Sequence, residues 1–158
     1  MKIMSIFKER ERYCETTFQD GGPYWHAYTS GKDTPLLFSR EEDLVFVMNV
    51  IAQAAALFPE VRIIAFEVMN NHFHFVVSAD ERAVSAFWGF ARKRLARSFP
   101  LMKGLQITLK PIGDLGALRN NIVYTNRNGY VADSSHTPFS YPWGQDGIIF
   151  WTGLGVRR

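Results

Sequence analysis

The chain has 158 residues, 47% of them hydrophobic and 21% charged, the composition of one globular domain rather than of a disordered segment. A single cysteine, Cys14, excludes an intrachain disulfide and a cysteine-based zinc cluster. The net charge of +3 is unevenly spread, with 7 Lys/Arg against 11 Asp/Glu in residues 1–80 and 11 against 4 in residues 81–158, so the second half is where a polyanion would be met.

No apolar run has the length of a transmembrane helix, and the first residues lack the apolar core of a signal peptide. The expectation is a cytoplasmic protein with no membrane partner, one domain over residues 1–158. Residues 1–22 are charged, then glycine-rich, and read as a flexible arm. Residues 23–30, rich in aromatic and β-forming side chains and ended by Gly31, predict a first strand. His26 within it reads as a packing or capping residue of the sheet.

Ser39 followed by Glu41, Glu42 and Asp43 is a helix start, a cap oxygen with carboxylates against the positive end of the dipole. Leu44, Val47, Met48, Ile51, Ala54, Ala55 and Phe58 then recur at helical spacing up to Pro59, predicting a helix over 40–58. Residues 61–69 form a β-rich run, Asn70 and Asn71 supply turn chemistry, and a second strand of the hairpin covers 72–77. Glu67 could end near that strand's histidines or at the rim of the core.

Ala79, Asp80 and Glu81 open a second helix with Val84, Phe87, Trp88, Ala91 and Leu95 as its apolar stripe, stopping at Pro100. Arg92, Lys93, Arg94 and Arg97 crowd its end, where cations suit any helix dipole. Residues 105–112 alternate as a fourth strand, and Asp114 can cap a third helix over about 115–128. Residues 129–158 read as a loop-rich tail, with His136 a surface loop histidine. The order strand, helix, strand, strand, helix, strand is the βαββαβ ferredoxin-like arrangement of an α+β fold, with an additional C-terminal helix.

The chemistry centres on Met69-Asn-Asn-His-Phe-His-Phe-Val-Val77. Side chains alternate along a strand, so His72, His74 and Val76 share one face while Phe73, Phe75 and Val77 share the other. Two imidazoles roughly 7 Å apart along a strand, at about 3.3 Å per residue, can reach one divalent cation if a third ligand comes from elsewhere. The spacing alone is also that of two hydrogen-bonded strand histidines.

A strand-borne His-hydrophobic-His, followed about fifty residues later by a helix with Tyr-x-x-x-Asn, resembles the HUH single-tyrosine transposases, and among them the REP-associated tyrosine transposases. Met69-Asn-Asn-His-Phe-His-Phe-Val76 is similar to that family's Met-Pro-Asn-His-Val-His-Leu-Leu, and Tyr124-Thr-Asn-Arg-Asn128 to its Tyr-Ile-x-x-Asn-Pro. The Tyr-Trp-His-Ala-Tyr-Thr-Ser-Gly of the first strand and Tyr141-Pro-Trp-Gly also resemble family positions, so the match covers about 22–145. Two positions depart from it: Asn70 and Gly129 stand where the family has proline.

The resemblance implies that His72, His74 and Asn128 bind a divalent metal, Mg²⁺ or Mn²⁺, and that Tyr124 is the nucleophile of a DNA nicking and joining enzyme. It implies single-stranded or hairpin DNA, such as a REP element, as the partner, and a monomer or homodimer as the working form. Arg92, Lys93, Arg94, Arg97 and Arg127 are the expected phosphate contacts, and Trp25, Tyr28, Trp88 and Trp143 could stack on unpaired bases. A chain that keeps the fold and hairpin binding but not cleavage is the alternative. An unrelated ferredoxin-like RNA-binding or small-ligand module with structural histidines is a third reading.

Overall fold

The computed structural model describes residues 23–132, 134–137 and 140–144. The arm over residues 1–22, Cys14 and the stretch from 145 onward lie outside the described residues. Four strands, β1 (Tyr24–Tyr28), β2 (Arg62–Val68), β3 (Phe73–Ser78) and β4 (Thr108–Ile112), pair antiparallel in the order β2-β3-β1-β4. With helices α1 (Glu41–Leu57) and α2 (Glu81–Leu95) between them, this is the expected ferredoxin-like βαββαβ, followed by α3 (Leu115–Ala132).

The two faces of the sheet are filled differently. Phe73, Phe75 and Val77 of β3 join Ala27, Phe66 and Val68 in the main core, closed by Val47, Val50 and Ile51 of α1 and by Val84, Phe87, Trp88 and Ala91 of α2. Stacked and edge-to-face rings, including Phe66 with Phe75 and Phe75 with Phe87, fill this layer. On the opposite face Ala65, Val76 and Ile112 form a smaller cluster with Leu118, flanked by Leu115 and Ile122 of α3. The second face is therefore covered by α3 rather than left open.

A β-bulge at Ile64 decides which side chains of β2 look at which layer. Ile63 is opposite Val77, but the next pair is Ala65 with Val76. One extra residue reverses the facing of everything after it. Phe66 and Val68 thus enter the main core, whereas Ala65 and Glu67 fall on the α3 face, with Glu67 directly opposite His74. β4 is an edge strand, which accommodates the missing N–H of Pro111.

Several boundaries differ from the sequence reading. α1 is capped by Arg40 rather than Ser39, because Asp43 in the first turn reaches back to accept from both the Ser39 and Arg40 N–H groups. The Arg40 guanidinium on the same carboxylate, with those backbone bonds, holds the Asp43 pKa below the usual range. α2 ends at Leu95, and a 3₁₀ helix over Pro100–Gly104 follows it. α3 runs through Gly129 to Ala132, past the expected stop at 128, so the stretch taken as a loop-rich tail begins in helix. Among the described residues no helix is long and apolar enough to cross a membrane.

Candidate active site

The turn between β2 and β3 closes when Met69 N–H donates to the His72 carbonyl at 2.8 Å, with Asn70 and Asn71 at its tip. The strand that follows points its histidines onto the α3 face. The His72 and His74 rings lie 5.0 Å apart, centroid to centroid, and nearly perpendicular. Gly31, just beyond β1, brings its main chain against His72: a Cβ there would meet Nδ1 at 2.6 Å.

Strand pairing adds two neighbours. β1 lies beside β3 with Tyr28 opposite His74 and His26 opposite Val76, so His26, Tyr28 and His74 share one surface. His26 Nε2 is 3.1 Å from His74 Nδ1, a hydrogen bond between two buried rings. Tyr28 packs on both rings, tilted at 4.9 Å from His26 and stacked at 6.1 Å from His74. His26 was expected only to pack or cap in the sheet, and the structure places it in contact with His74. The register that makes them neighbours is not written in either strand alone.

Burial lowers the pKa of all three histidines. It acts with the neighbouring Lys110 on His26, and on His74 with His72 and His26, so that His74 is pushed down to about 3. All three are then neutral imidazoles at neutral pH. That is the form in which imidazole nitrogen ligates a metal.

Helix α3 brings Tyr124 over these rings. Asp114 starts the helix by accepting the Ala117 N–H at 2.7 Å on its side chain, the cap expected from sequence. Leu118, Thr125 and Gly129 are the buried positions, so the inward stripe passes from apolar to polar and small just beside the histidines. Tyr124 meets His74 and His26 edge-on, at 5.4 and 5.8 Å between centroids, while remaining 51% exposed. Asn128, one turn on, donates through Nδ2 to the Tyr124 and Thr125 carbonyls. Its carboxamide is therefore held on its own helix.

His72 and His74 present two imidazole donors on one face, the donor type a divalent cation takes, and α3 brings an amide, that of Asn128, to the helix that lies over them. Among the described residues no three His, Cys, Asp or Glu side chains converge as a metal site. An amide such as that of Asn128 lies outside that count.

The basic residues do not join this cluster. Arg92, Lys93, Arg94 and Arg97 belong to α2 and its end, on the opposite side of the sheet from α3. Arg92 is half-buried and donates to the Lys103 carbonyl at 2.7 Å, tying α2 to the 3₁₀ helix, whereas Lys93, Arg94 and Arg97 are exposed. Arg127 is exposed on α3. Of the four aromatic residues considered for base stacking, Trp88 and Trp143 are buried in the core and removed from that role. Trp25 is half-buried and donates its indole N–H to the Ala79 carbonyl.

The segment after α3 was expected to be loop without further structure, yet it docks on β2. Tyr141 donates its hydroxyl to the Val68 carbonyl, Val68 N–H donates to the Trp143 carbonyl at 2.8 Å, and Gly144 bridges to Glu67. These contacts wall the site beyond β2 and help bury Glu67 beside His74 in the register.

No family model and no curated protein matches the chain. Solved structures do. A REP-associated tyrosine transposase bound to a REP hairpin superposes with a TM-score of 0.63 at 15% identity, over 85% of this chain and 82% of that one. A protein of Deinococcus radiodurans R1, provisionally assigned as a transposase, matches with a TM-score of 0.44 at 16% identity, over 62% of this chain and 84% of that one. A designed ferredoxin-fold protein follows with a TM-score of 0.35 at 14% identity, over 60% and 87%. By the first of these likenesses, the chain has the fold of a REP-associated tyrosine transposase.

Proposed function

We propose that this chain is a metal-dependent endonuclease and strand transferase of single-stranded, hairpin-forming DNA, with Tyr124 as its nucleophile. The observation that carries the proposal is the seating of Tyr124, half exposed and edge-on to the buried pair His26 and His74. A phenol reachable from solvent stands beside two neutral imidazoles, on a helix whose next turn carries an amide. The fold it shares with a transposase bound to a REP hairpin supports hairpin DNA as the substrate class.

His72, His74 and Asn128 would hold the cation, and since oxygen donors from substrate and water complete the set, Mg²⁺ or Mn²⁺ suits it. When bound, the cation polarises the scissile phosphate. Asn128 spends Nδ2 on the Tyr124 and Thr125 carbonyls, so Oδ1 is the atom it can offer as a ligand. Tyr124 Oη attacks phosphorus and gives its proton to solvent, and the bond from phosphorus to the 3′ oxygen breaks. The 3′ oxygen takes a proton from solvent as it leaves and becomes a hydroxyl, and the 5′-phosphate remains on Tyr124. Attack by a 3′-hydroxyl on that phosphotyrosine reverses the step and joins strands.

The test is denaturing electrophoresis of the full chain after incubation with hairpin oligonucleotides bearing single-stranded flanks. A covalent adduct is expected with Mn²⁺, none with EDTA, and none from Tyr124→Phe, which keeps the ring contacts and loses only the attacking oxygen. Tight hairpin binding with no adduct across a broad panel would replace the nuclease reading by that of a DNA-binding protein without cleavage.

A further inference from the structure

The Asn70–Asn71 turn is strapped by the loop that leaves β1. Leu37 and Phe38 N–H both donate to the Asn70 carbonyl at 2.9 Å. Asn71 reaches the other way, its Nδ2 donating to the Gly31 carbonyl at 3.1 Å and to the Thr34 carbonyl at 3.0 Å. Carbonyl oxygens only accept, so this pair of partners fixes which end of the carboxamide is nitrogen. The oxygen is left facing His72, 2.6 Å from Nδ1.

An amide oxygen has no hydrogen to give, so Nδ1 of His72 must carry one. A neutral imidazole has a single N–H, and its lone pair is then on Nε2. The Gly31 main chain closes on the Nδ1 side of the ring, where a Cβ would already be too near. His74 also has a partner at Nδ1, but that partner is the ring nitrogen of His26, which can donate or accept. Of the three clustered histidines, His72 is the one whose hydrogen bonds decide the tautomer.

We propose that Asn71 is a positioning residue for the metal site: clamped by the Gly31 and Thr34 carbonyls, it fixes His72 as the Nδ1–H tautomer and presents the Nε2 lone pair as a ligand. The proposal rests on the reading of His72 and His74 as metal ligands. It gives the side chain before the first histidine a chemical task, in the way that hydrogen-bond partners behind metal-bound histidines orient the ring and set which nitrogen is free.

The test reads the tautomer directly, by long-range proton–nitrogen correlation NMR of the metal-free full chain, and titrates Mn²⁺ by calorimetry in the same samples. In the wild type, His72 should show a protonated Nδ1 and a pyridine-type Nε2. Asn71→Ala should populate both tautomers and weaken Mn²⁺ binding by about 10–100-fold, the usual effect of removing such a partner.

A wild-type His72 protonated at Nε2 would overturn the proposal, and this needs no variant to fold. So would an Asn71→Ala chain with unchanged tautomer and unchanged Mn²⁺ affinity. A wild-type chain that shows the Nδ1–H tautomer but binds no Mn²⁺ would overturn the metal reading instead, with the tautomer assignment, read without metal, still standing.

Discussion

Gly129 shows how one missing side chain can place a helix. Glycine inside a helix costs about 1 kcal/mol relative to alanine, yet α3 continues through it for another turn. A Cβ at this position would lie 2.6 Å from Cδ1 and Cδ2 of Tyr141. The ring cannot simply retreat, because its hydroxyl donates to the Val68 carbonyl at 3.0 Å at the end of β2. Gly129→Ala therefore gains helix propensity but loses more to overpacking, for which typical costs are about 1–3 kcal/mol. The expected outcome is a net loss of roughly 1 kcal/mol in urea unfolding. In a Tyr141→Ala background the same substitution should turn neutral or stabilising, a coupling that a double-mutant cycle measures directly. Equal stability of wild type and Gly129→Ala would mean that the ring moves aside freely. A proline here, as in the family the sequence resembles, would meet the same ring.

Helix α3 is the element on which the site depends, because it alone carries Tyr124 and Asn128. Its start rests on the Asp114 side chain accepting the Ala117 N–H, and Asp114→Ala should cost about 1 kcal/mol, the usual value of a lost N-cap. Hydrogen exchange should locate the loss in the first turn of α3, and exchange unchanged there would show that tertiary packing alone holds the helix. This cap was legible in the sequence, as were the order of all seven main elements and the opposite facing of His72 and Phe73, since each follows from local spacing. Other features were hidden because they depend on partners distant in the chain. The end of α3 was misread since Gly129 is a stop signal locally and a packing requirement globally. The bulge at Ile64, which turns Glu67 toward the histidine face, leaves no mark on a β-rich run in which Ile63, Ile64, Ala65 and Phe66 are apolar in succession. The contact of His26 with His74 exists only in the register of β1 on β3. The 3₁₀ helix over Pro100–Gly104 is too short to show a period.

At the scale of the molecule, the sheet separates the proposed chemistry from most of the positive charge. The histidines and Tyr124 lie on the α3 side, while Lys93, Arg94 and Arg97 are exposed at the end of α2 on the other. The two are nevertheless joined around one end of the sheet. Phe99, just past these cations, packs edge-on against Phe38, and Phe38 in turn against Phe73, the residue after His72. The expected path of a bound nucleic acid strand therefore runs from the histidines over the β1–α1 loop to these cations. Contacts of this kind bind phosphate and carry little sequence choice, so they show as salt dependence. Each single-strand phosphate contact contributes about 0.7 to the slope of log affinity against log salt. Replacing Lys93, Arg94 and Arg97 together by glutamine should therefore make that slope shallower by about 2. Arg82→Gln, at the far end of α2, should leave it unchanged. Because none of these three side chains touches Tyr124 or the histidines, the rate of adduct formation at saturating DNA should be preserved in the triple variant. A slope unaffected by the triple substitution would place the path of the DNA elsewhere, with Arg127 on α3 the next cation to remove. Loss of the adduct rate with an unchanged slope would instead tie the end of α2 to the site itself.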